Sequence, residues 1–250
     1  MIKLENYEVM GWEHVIRGMR NPKNSWDLSD SGLGCDDEGC LCKDCEHSKN
    51  RYPGDCYGYF AIGPNDHKLM MNLRNAGTDH RKFMRMITVY VDITAPLYWW
   101  KEFDTYKVGT VANSCSTMHK IHAKEFTYED FSYERLDKEH TFSMPCANGG
   151  SDDIYNDWYD AYDVLDVIIA ALNQYRDLYN KTKDKRYFDT MIQLLPTSYN
   201  QKRTVMLNYE VLANMYKSRK NHKLDEWHDL CKWIESLPYS ELITGGGSDE

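Results

Sequence analysis

Alternating hydrophobic and polar positions mark one clear strand in this sequence. Ile87, Val89, Val91 and Ile93 are separated by single residues of more polar character. A period of two residues puts every second side chain on the same face of a strand, so the pattern predicts a strand over residues 87–93. Helical patterns flank this strand on both sides.

Helical periodicity covers more of the chain than strand periodicity does. It is clearest from residue 157 onward, where apolar residues recur three and four positions apart. Shorter helices are predicted over residues 7–20, 66–77, 97–108, 204–217 and 223–236. Pro96 suits a helix start, and Gly77 and Gly109 suit helix ends. Residues 126–153 are predicted to form an acidic loop. The sequence therefore predicts an α+β fold that is rich in helix and has a small sheet.

The overall composition excludes several classes of protein. Of the 250 residues, 42% are hydrophobic and 13% aromatic, which excludes a disordered chain and is enough for a sizeable core. No apolar run approaches the ~18–20 residues that cross a membrane, and the first residues lack the apolar core of a secretory signal. We therefore expect a cytoplasmic protein that does not contact a membrane.

The negative charge of the chain is confined to one segment. The net charge of −9 argues against a protein that coats a nucleic acid polymer. Residues 125–166, however, contain 12 acidic and 2 basic side chains, which leaves the rest of the chain almost neutral. Residues 202–223 contain 6 basic side chains against one acidic one, Glu210. A pocket for a single nucleotide is compatible with this distribution.

A cluster of cysteines lies within residues 21–58, a polar stretch that is predicted to be a long loop or insertion. Four thiols fall within eleven residues, at Cys35, Cys40, Cys42 and Cys45. Thiolates are preferred ligands of zinc, and a cytoplasmic location favours metal binding or free thiols over disulfides. The C-x4-C-x-C-x2-C spacing matches no standard finger. A structural zinc site, an iron–sulfur cluster and free or redox-labile thiols all remain open.

Two segments of the chain, about 100 residues together, resemble the flavin-dependent thymidylate synthases. Residues 69–120 have the family's order of helix, strand and Ala-Pro-initiated helix, which leads into its R-H-R-x-x-S-x-N-E-x-S-x-R motif. Residues 105–117 read T-Y-K-V-G-T-V-A-N-S-C-S-T at that place. Lys107 and Thr110 are conservative replacements, whereas the final arginine of the motif is replaced by Thr117. The motif is degenerate.

The second segment follows the family pattern more closely. Leu195-Pro196 precedes a predicted helix in which Asn208, Asn214 and Arg219 reproduce the spacing N-x5-N-x4-R. Two family arginines are replaced here, one by Ile192 and one by Glu210. On a helix, Asn208 and Arg219 would lie within about 20° of each other, on a face shared with apolar residues. Satisfied core polar groups would explain that pattern as well as a binding site does.

The resemblance implies a fold, a reaction and a set of ligands. It implies a single family-like domain over residues 1–240, to which the residue pattern adds the Cys-rich insertion at about residues 21–58 and a flexible tail at 241–250. It implies a homotetramer that transfers a methyl group to dUMP, with FAD as cofactor, and with methylene-tetrahydrofolate and NADPH as co-substrates. The partner is thus a pyrimidine nucleotide, and zinc is possible only through the Cys cluster.

The resemblance also implies which residues form the site. Flavin contacts are assigned to Asn208, Asn214, Tyr106 and Lys107. The pyrimidine base is assigned to Arg219, which is the candidate catalytic residue as well. The remaining substrate contacts are assigned to Thr110, Ser116 and Cys115, with Thr110, Ser116 and Lys107 at the phosphate. The missing family arginines require other cations, for which the sequence offers Lys107, Lys120, Arg81 and Arg85.

Three functional interpretations remain open at this level. The first is a thymidylate-type enzyme, or one with a modified reaction on a related nucleotide. The second is a family scaffold that has lost turnover and binds a nucleotide or a protein, which the degenerate motif favours. The third is a zinc-stabilised interaction protein whose family resemblance is coincidental.

Overall fold

The computed structural model describes residues 2–33, 60–147 and 154–245. Its strands are β1 (Lys3–Met10), β2 (Gly32–Leu33), β3 (Phe60–Ala61), β4 (Thr88–Pro96), β5 (Val111–Ser114), β6 (Phe142–Ala147), β7 (Ile154–Tyr159) and β8 (Asn200–Asn208). Its α-helices are α1 (Trp12–Arg20), α2 (Pro64–Asn75), α3 (Leu97–Phe103), α4 (Thr117–Lys120), α5 (Ala161–Thr182), α6 (Lys185–Leu194), α7 (Tyr209–Arg219), α8 (Asp225–Glu235) and α9 (Glu241–Thr244). No helix in these ranges is long and apolar enough to cross a membrane.

Four strands form one sheet with the order β1-β4-β8-β5. In β4, the side chains of Val89, Val91, Ile93 and Ala95 are buried, with the predicted period of two. Two antiparallel strand pairs stand apart from this sheet, β2 with β3 and β6 with β7. The predicted α+β class, rich in helix with a small sheet, is confirmed.

The chain divides into two compact units, which are described separately. Unit 1 comprises residues 1–3, 93–105 and 113–203, and unit 2 comprises residues 4–92, 106–112 and 204–250. Because β4 and β8 each contribute residues to both units, the units are not consecutive segments of sequence. The expectation of one family-like domain over residues 1–240 stays a prediction.

Unit 1 has a core built around α5 and α6, which pack against each other. Its buried residues are Ile121, Phe126, Phe131, Leu165, Leu172 and Met191. The side chain of Asp160 accepts hydrogen bonds from the backbone N–H groups of Tyr162 and Asp163 and so caps α5 at its start. In the same unit, Trp99, Trp100 and Phe103 of α3 form a buried aromatic cluster.

Unit 2 contains α1, α2, α7 and α8. Tyr209, at the start of α7, is fully buried, and its hydroxyl donates to the Pro238 carbonyl at 2.5 Å. Burial raises the pKa of this hydroxyl well above its ordinary value, so it remains a donor. The Trp12 ring packs edge-on against Tyr209. Leu212, Met215 and Trp227 complete a core that fixes α7 and α8 within this unit.

Several predicted elements begin or end at the wrong residue. Residues 7–10 belong to β1 rather than to the first helix, because Gly11 turns the chain with a positive φ of 100° before α1 begins. A Cβ at Gly11 would lie 2.4 Å from the Met86 carbonyl oxygen. The helix predicted over 97–108 ends at Phe103, where the aromatic cluster of α3 ends as well. Residues 204–207 are strand, because Val205 and Leu207 alternate into the core as part of β8.

The predicted acidic loop contains a strand. Residues 142–147 form β6 and pair with β7, so the long helix predicted from residue 157 begins at Ala161 instead. A strand pair of this kind depends on the partner strand, which a local periodicity does not reveal. The Cys cluster, namely Cys35, Cys40, Cys42 and Cys45, lies outside the described residues. Within the described ranges, no group of three or more histidine, cysteine or acidic side chains is arranged to hold a metal ion.

Candidate functional site

The guanidinium of Arg219 is held by two aromatic side chains. Its Nε donates a hydrogen bond of 3.0 Å to the Tyr106 hydroxyl. The guanidinium carbon lies 4.5 Å from the centre of the Trp227 ring and 5.6 Å from that of Tyr106. A planar, weakly hydrated cation stacks well on such rings, and each contact adds about 0.5–1 kcal/mol or more when desolvated. We call Tyr106, Arg219 and Trp227 the arginine clamp.

Three short elements bring the clamp together in unit 2. Arg219 is the last residue of α7, and Trp227 lies in the first turn of α8, fully buried. The connection between the two helices is fixed by His222, whose Nδ1 accepts a hydrogen bond from the Leu224 backbone N–H at 3.1 Å. Tyr106 lies in the turn that follows α3. Because α3 ends before this turn, Tyr106 is free of helical geometry and reaches the α7–α8 corner.

Asn208 caps α7 instead of lying on its face. Its Oδ1 accepts a hydrogen bond of 3.0 Å from the Val211 backbone N–H. The prediction that Asn208 and Arg219 share a helix face was therefore wrong, since the helix begins after Asn208. The Asn208 Nδ2 lies against Gly109, where a Cβ would come within 2.9 Å of it, and Gly109 has a positive φ of 79°. The backbone of the turn thus approaches the start of α7 closely.

A second network joins the side chains of Arg81, Glu210 and Asn214. The Arg81 Nε lies 3.1 Å from Oε1 and 3.0 Å from Oε2 of Glu210, and an Nη donates to Asn214 Oδ1 at 3.1 Å. Glu210 is 7% exposed, so its charge needs this partner. Glu210 replaces a family arginine, and Arg81 supplies a guanidinium beside the same position. Its charge, however, is compensated by the carboxylate.

The other residues that were predicted to contact ligands are divided between the two units. In unit 2, Lys107 is exposed, and the Thr110 hydroxyl is buried without a hydrogen-bond partner among the described residues. In unit 1, the Cys115 thiol is exposed while its backbone N–H and carbonyl bond to Lys202 and Gln201. Ser116 caps the short helix α4 by accepting from the His119 backbone N–H. A phosphate role for Ser116 therefore competes with this cap.

The structure thus brings together some of the predicted residues. Tyr106 contacts Arg219, and Asn208 lies beside the glycine turn that precedes Thr110. Trp227 was not predicted, because an aromatic residue in a helical pattern is more often part of a core. Its position eight residues after Arg219, across a short connection, is the sequence signal that was available. The alternative cations Arg85 and Lys120 are both exposed.

The donor groups that remain are suited to a flavin. Because Asn208 and Asn214 use their Oδ1 atoms as acceptors, the Nδ2 amides remain to donate to carbonyl or ring nitrogen acceptors of an isoalloxazine. The unpartnered Thr110 hydroxyl provides a further buried polar group. These residues fit a flavin and a nucleotide by the chemistry of their donors.

Comparison with known structures agrees with the sequence resemblance. By sequence, the chain matches no established family profile and no curated protein. By structure, it is similar to thymidylate synthase X from Helicobacter pylori, solved with FAD and dUMP, at a TM-score of 0.57 and 16% identity over 98% of this chain and 97% of that one. A second structure of that enzyme with the same two ligands matches equally well, at a TM-score of 0.57.

A third similar structure has a different described activity. It is the UMP/dUMP methylase PolB from Streptomyces cacaoi, bound to 5-Br dUMP, with a TM-score of 0.52 and 12% identity over 98% of this chain and 94% of that one. At these identities the likeness establishes the fold. The chain therefore has the fold of the flavin-dependent thymidylate synthases, at 12–16% sequence identity to these three structures.

Proposed function

We propose that this protein binds FAD and a pyrimidine deoxynucleotide and transfers a one-carbon unit to the base, with dUMP as the first candidate substrate. The observation that carries the proposal is the arginine clamp. Arg219 completes the retained N-x5-N-x4-R spacing, and two aromatic side chains fix its guanidinium. Three structural neighbours with bound dUMP, or a brominated analogue of it, support the substrate class.

The role that we propose for each site residue follows from the hydrogen-bond donors of its side chain. Arg219 donates to the carbonyl oxygens of the pyrimidine, and Tyr106 and Trp227 hold the guanidinium in one orientation so that little entropy is lost on binding. Asn208 and Asn214 donate to the flavin through Nδ2. When bound, the flavin supplies the hydride, methylene-tetrahydrofolate supplies the carbon, and NADPH supplies the reducing equivalents. The phosphate is assigned to Lys107 and Thr110 of unit 2, and the sequence-based assignment of Ser116, which lies in unit 1, stays a separate prediction.

The proposal is tested by measuring dUMP binding in the FAD-loaded protein. Arg219→Ala should weaken dUMP binding at least about tenfold, because a charge-assisted contact is lost. Arg219→Lys should also bind poorly, since an ammonium does not reproduce the planar donor set. Lys217→Ala, an exposed lysine on the same helix, is the matched control and should change nothing. Unchanged dUMP affinity in Arg219→Ala would contradict the assignment.

A second candidate function is a binding module without turnover. The Arg81–Glu210 pair favours it, because the carboxylate cancels positive charge where the family carries an arginine. The two functions are separated by incubating the protein with dUMP, methylene-tetrahydrofolate and NADPH and following thymidylate formation. Visible flavin absorbance and dUMP binding without thymidylate would identify the binding module. Absence of FAD binding would exclude the flavoenzyme.

A further inference from the structure

A cavity of about 450 Å³ lies in unit 2, away from the arginine clamp in sequence. It is lined by side chains of α1, by residues of the following loop and by β2 and β3. A volume of this order accommodates a small organic molecule. The residues that line the cavity include three charged side chains, Glu13, Arg17 and Arg20. They also include two aromatic rings, Trp26 and Phe60.

Arg20 is the distinctive polar group of this cavity. It is only 4% exposed, and its Nε donates to Asp66 Oδ1 at 2.6 Å. Its Nη1 donates to the Ser25 carbonyl at 3.0 Å and to the Ser25 hydroxyl at 3.3 Å. The Arg20 Nη2 donates no hydrogen bond to any described residue. A buried guanidinium therefore brings two N–H donors to the cavity that it lines.

The Asp66 carboxylate beside Arg20 is already occupied by other hydrogen bonds and does not accept from Nη2. Asp66 uses Oδ1 for Arg20, and its Oδ2 accepts from the hydroxyls of Ser29 and Ser31 and from two backbone N–H groups. The two oxygens are therefore committed to contacts that hold the loop to α2. Arg20 Nη2 is not among the fully buried polar atoms that lack a partner, so it is open to the cavity, where an anionic oxygen of a ligand can accept from it.

The aromatic side of the cavity is held in place before a ligand arrives. The Trp26 indole donates from Nε1 to Asn21 Oδ1 at 2.7 Å, although 49% of the residue is exposed. A large aromatic residue that is fixed and yet exposed offers a preorganised surface for a flat apolar group. Phe60 adds a second ring to the wall.

We propose that this cavity is a binding site for a small aromatic carboxylate. The carboxylate pairs with Arg20, the exposed Arg17 adds positive charge at the mouth, and the ring packs against Trp26 and Phe60. Glu13 accepts a hydrogen bond from a donor substituent where the ligand carries one. None of the residues that line this cavity belongs to the arginine clamp.

Phenylacetate is the probe, and the neutral phenylacetamide is its matched control ligand. We expect calorimetry or ligand-observed NMR to show phenylacetate binding with a Kd of about 1 mM or tighter, as suits a ligand of its size. Phenylacetamide should bind about tenfold more weakly, because it lacks the charge that Arg20 pairs with. Equal affinity for the two ligands, or no binding of phenylacetate at about 10 mM, would overturn the proposal.

A pair of variants at Gly32 locates the binding to this cavity. Gly32 lines it, and a Cβ at this position would meet nothing within 4 Å. Gly32→Leu should therefore fold, fill the cavity and reduce phenylacetate affinity at least about tenfold, whereas Gly32→Ala should stay within about threefold of the parent. Trp26→Ala provides a second variant that removes a wall. If Gly32→Leu and Trp26→Ala both retain full affinity, phenylacetate binds elsewhere and the proposal fails.

Discussion

The buried carboxylate of Asp66 joins three segments of unit 2. It pairs with Arg20 at the end of α1, accepts from Ser29 and Ser31 in the loop, and itself lies in the first turn of α2. Burial by itself would raise the pKa of Asp66, but the hydrogen bonds from Ser31 and Ser29 and the Arg20 pair together hold the pKa below its ordinary value. The ionised form is therefore the one that the folded state stabilises.

This pKa shift predicts a loss of stability in acid. Because the folded pKa lies below the unfolded value of about 3.9, the stabilisation is complete above that value and declines as the pH falls through it towards the folded pKa. Asp66→Asn should cost about 3–5 kcal/mol near neutral pH, because it leaves Arg20 buried without its counter-charge. Urea unfolding at a series of pH values checks both statements.

The control for this prediction is Asp189→Asn. Asp189 pairs with Lys185 on the exposed face of α6. This variant should therefore lower the free energy of unfolding by less than about 1 kcal/mol. The difference in unfolding free energy between the parent and Asp66→Asn should also shrink as the pH is lowered. A difference that is constant down to the most acidic pH would contradict the lowered pKa of Asp66.

A comparison of alanine variants at Gly109 and Gly77 separates the cost of a left-handed backbone from the cost of a steric clash. Both have a positive φ, 79° and 108°, but only Gly109 has a neighbour where a Cβ would lie, the Asn208 amide at 2.9 Å. Gly77→Ala should cost about 1–2 kcal/mol from the left-handed backbone alone. Gly109→Ala should cost more and also weaken FAD binding, because it displaces Asn208. Unfolding and FAD titrations of the two variants are compared, and equal effects would show that the Gly109–Asn208 approach is unimportant.

At the scale of single elements, capping side chains decide where α5 and α7 begin. Asn208 defines the start of α7, and Asp160 defines the start of α5. In both cases a side-chain oxygen accepts from backbone N–H groups that have no partner within the helix. The sequence pattern placed both helices several residues too early, because apolar periodicity continues through the preceding strand without a visible break.

The cap of α5 can be tested in isolation. Asp160→Ala removes the side-chain oxygen that accepts from the Tyr162 and Asp163 N–H groups, while the backbone N–H at residue 160 can still donate to Asp163 Oδ2. The variant should lower the free energy of unfolding by about 1 kcal/mol. Asp177→Ala, within the body of the same helix, is the control, because its side chain pairs with the adjacent Arg176 and caps no helix end. Thermal unfolding measures both. A loss in Asp177→Ala as large as that in Asp160→Ala would show that helix charge, rather than the cap, matters.

At the scale of the whole molecule, charge is divided between distant parts of the sequence. The acidic residues 125–166 belong to unit 1. Residues 204–223, whose charged side chains are mostly basic, belong to unit 2 with the arginine clamp. The net charge of −9 therefore describes the chain as a whole and not the surroundings of Arg219. This separation agrees with a pocket for one anionic nucleotide and not with a broad nucleic-acid surface.

The family resemblance predicts an assembly of four chains. The resemblance also implies that the sites form at junctions between subunits. Light scattering should therefore give a mass of four chains of 29.4 kDa, and dilution into monomers should release FAD. The measurement is made on the FAD-loaded protein across a range of concentrations. A monomer that retains one FAD per chain would contradict the prediction, while leaving the nucleotide assignment of Arg219 open to its own test.

The sequence by itself determined the α+β class, most of strand β4, the body of the long helix and the N-x5-N-x4-R spacing, although not that Asn208 lies before α7 instead of on its face. These features follow from periodicity and spacing within a short stretch of chain, so they can be predicted from neighbouring residues alone. The Cys cluster is equally visible in sequence, and its zinc assignment stays a prediction, because those residues lie outside the described ranges.

Only the tertiary structure decided which side chains meet. Arg81 and Glu210 are 129 positions apart, and Tyr106 and Arg219 are 113 apart. No local pattern links residues at such separations, because their contact depends on how β4, β8 and the helices that follow them are packed. The same reason explains why residues 204–207 form a strand. A strand needs a neighbouring strand to supply its hydrogen bonds, and that neighbour is remote in sequence.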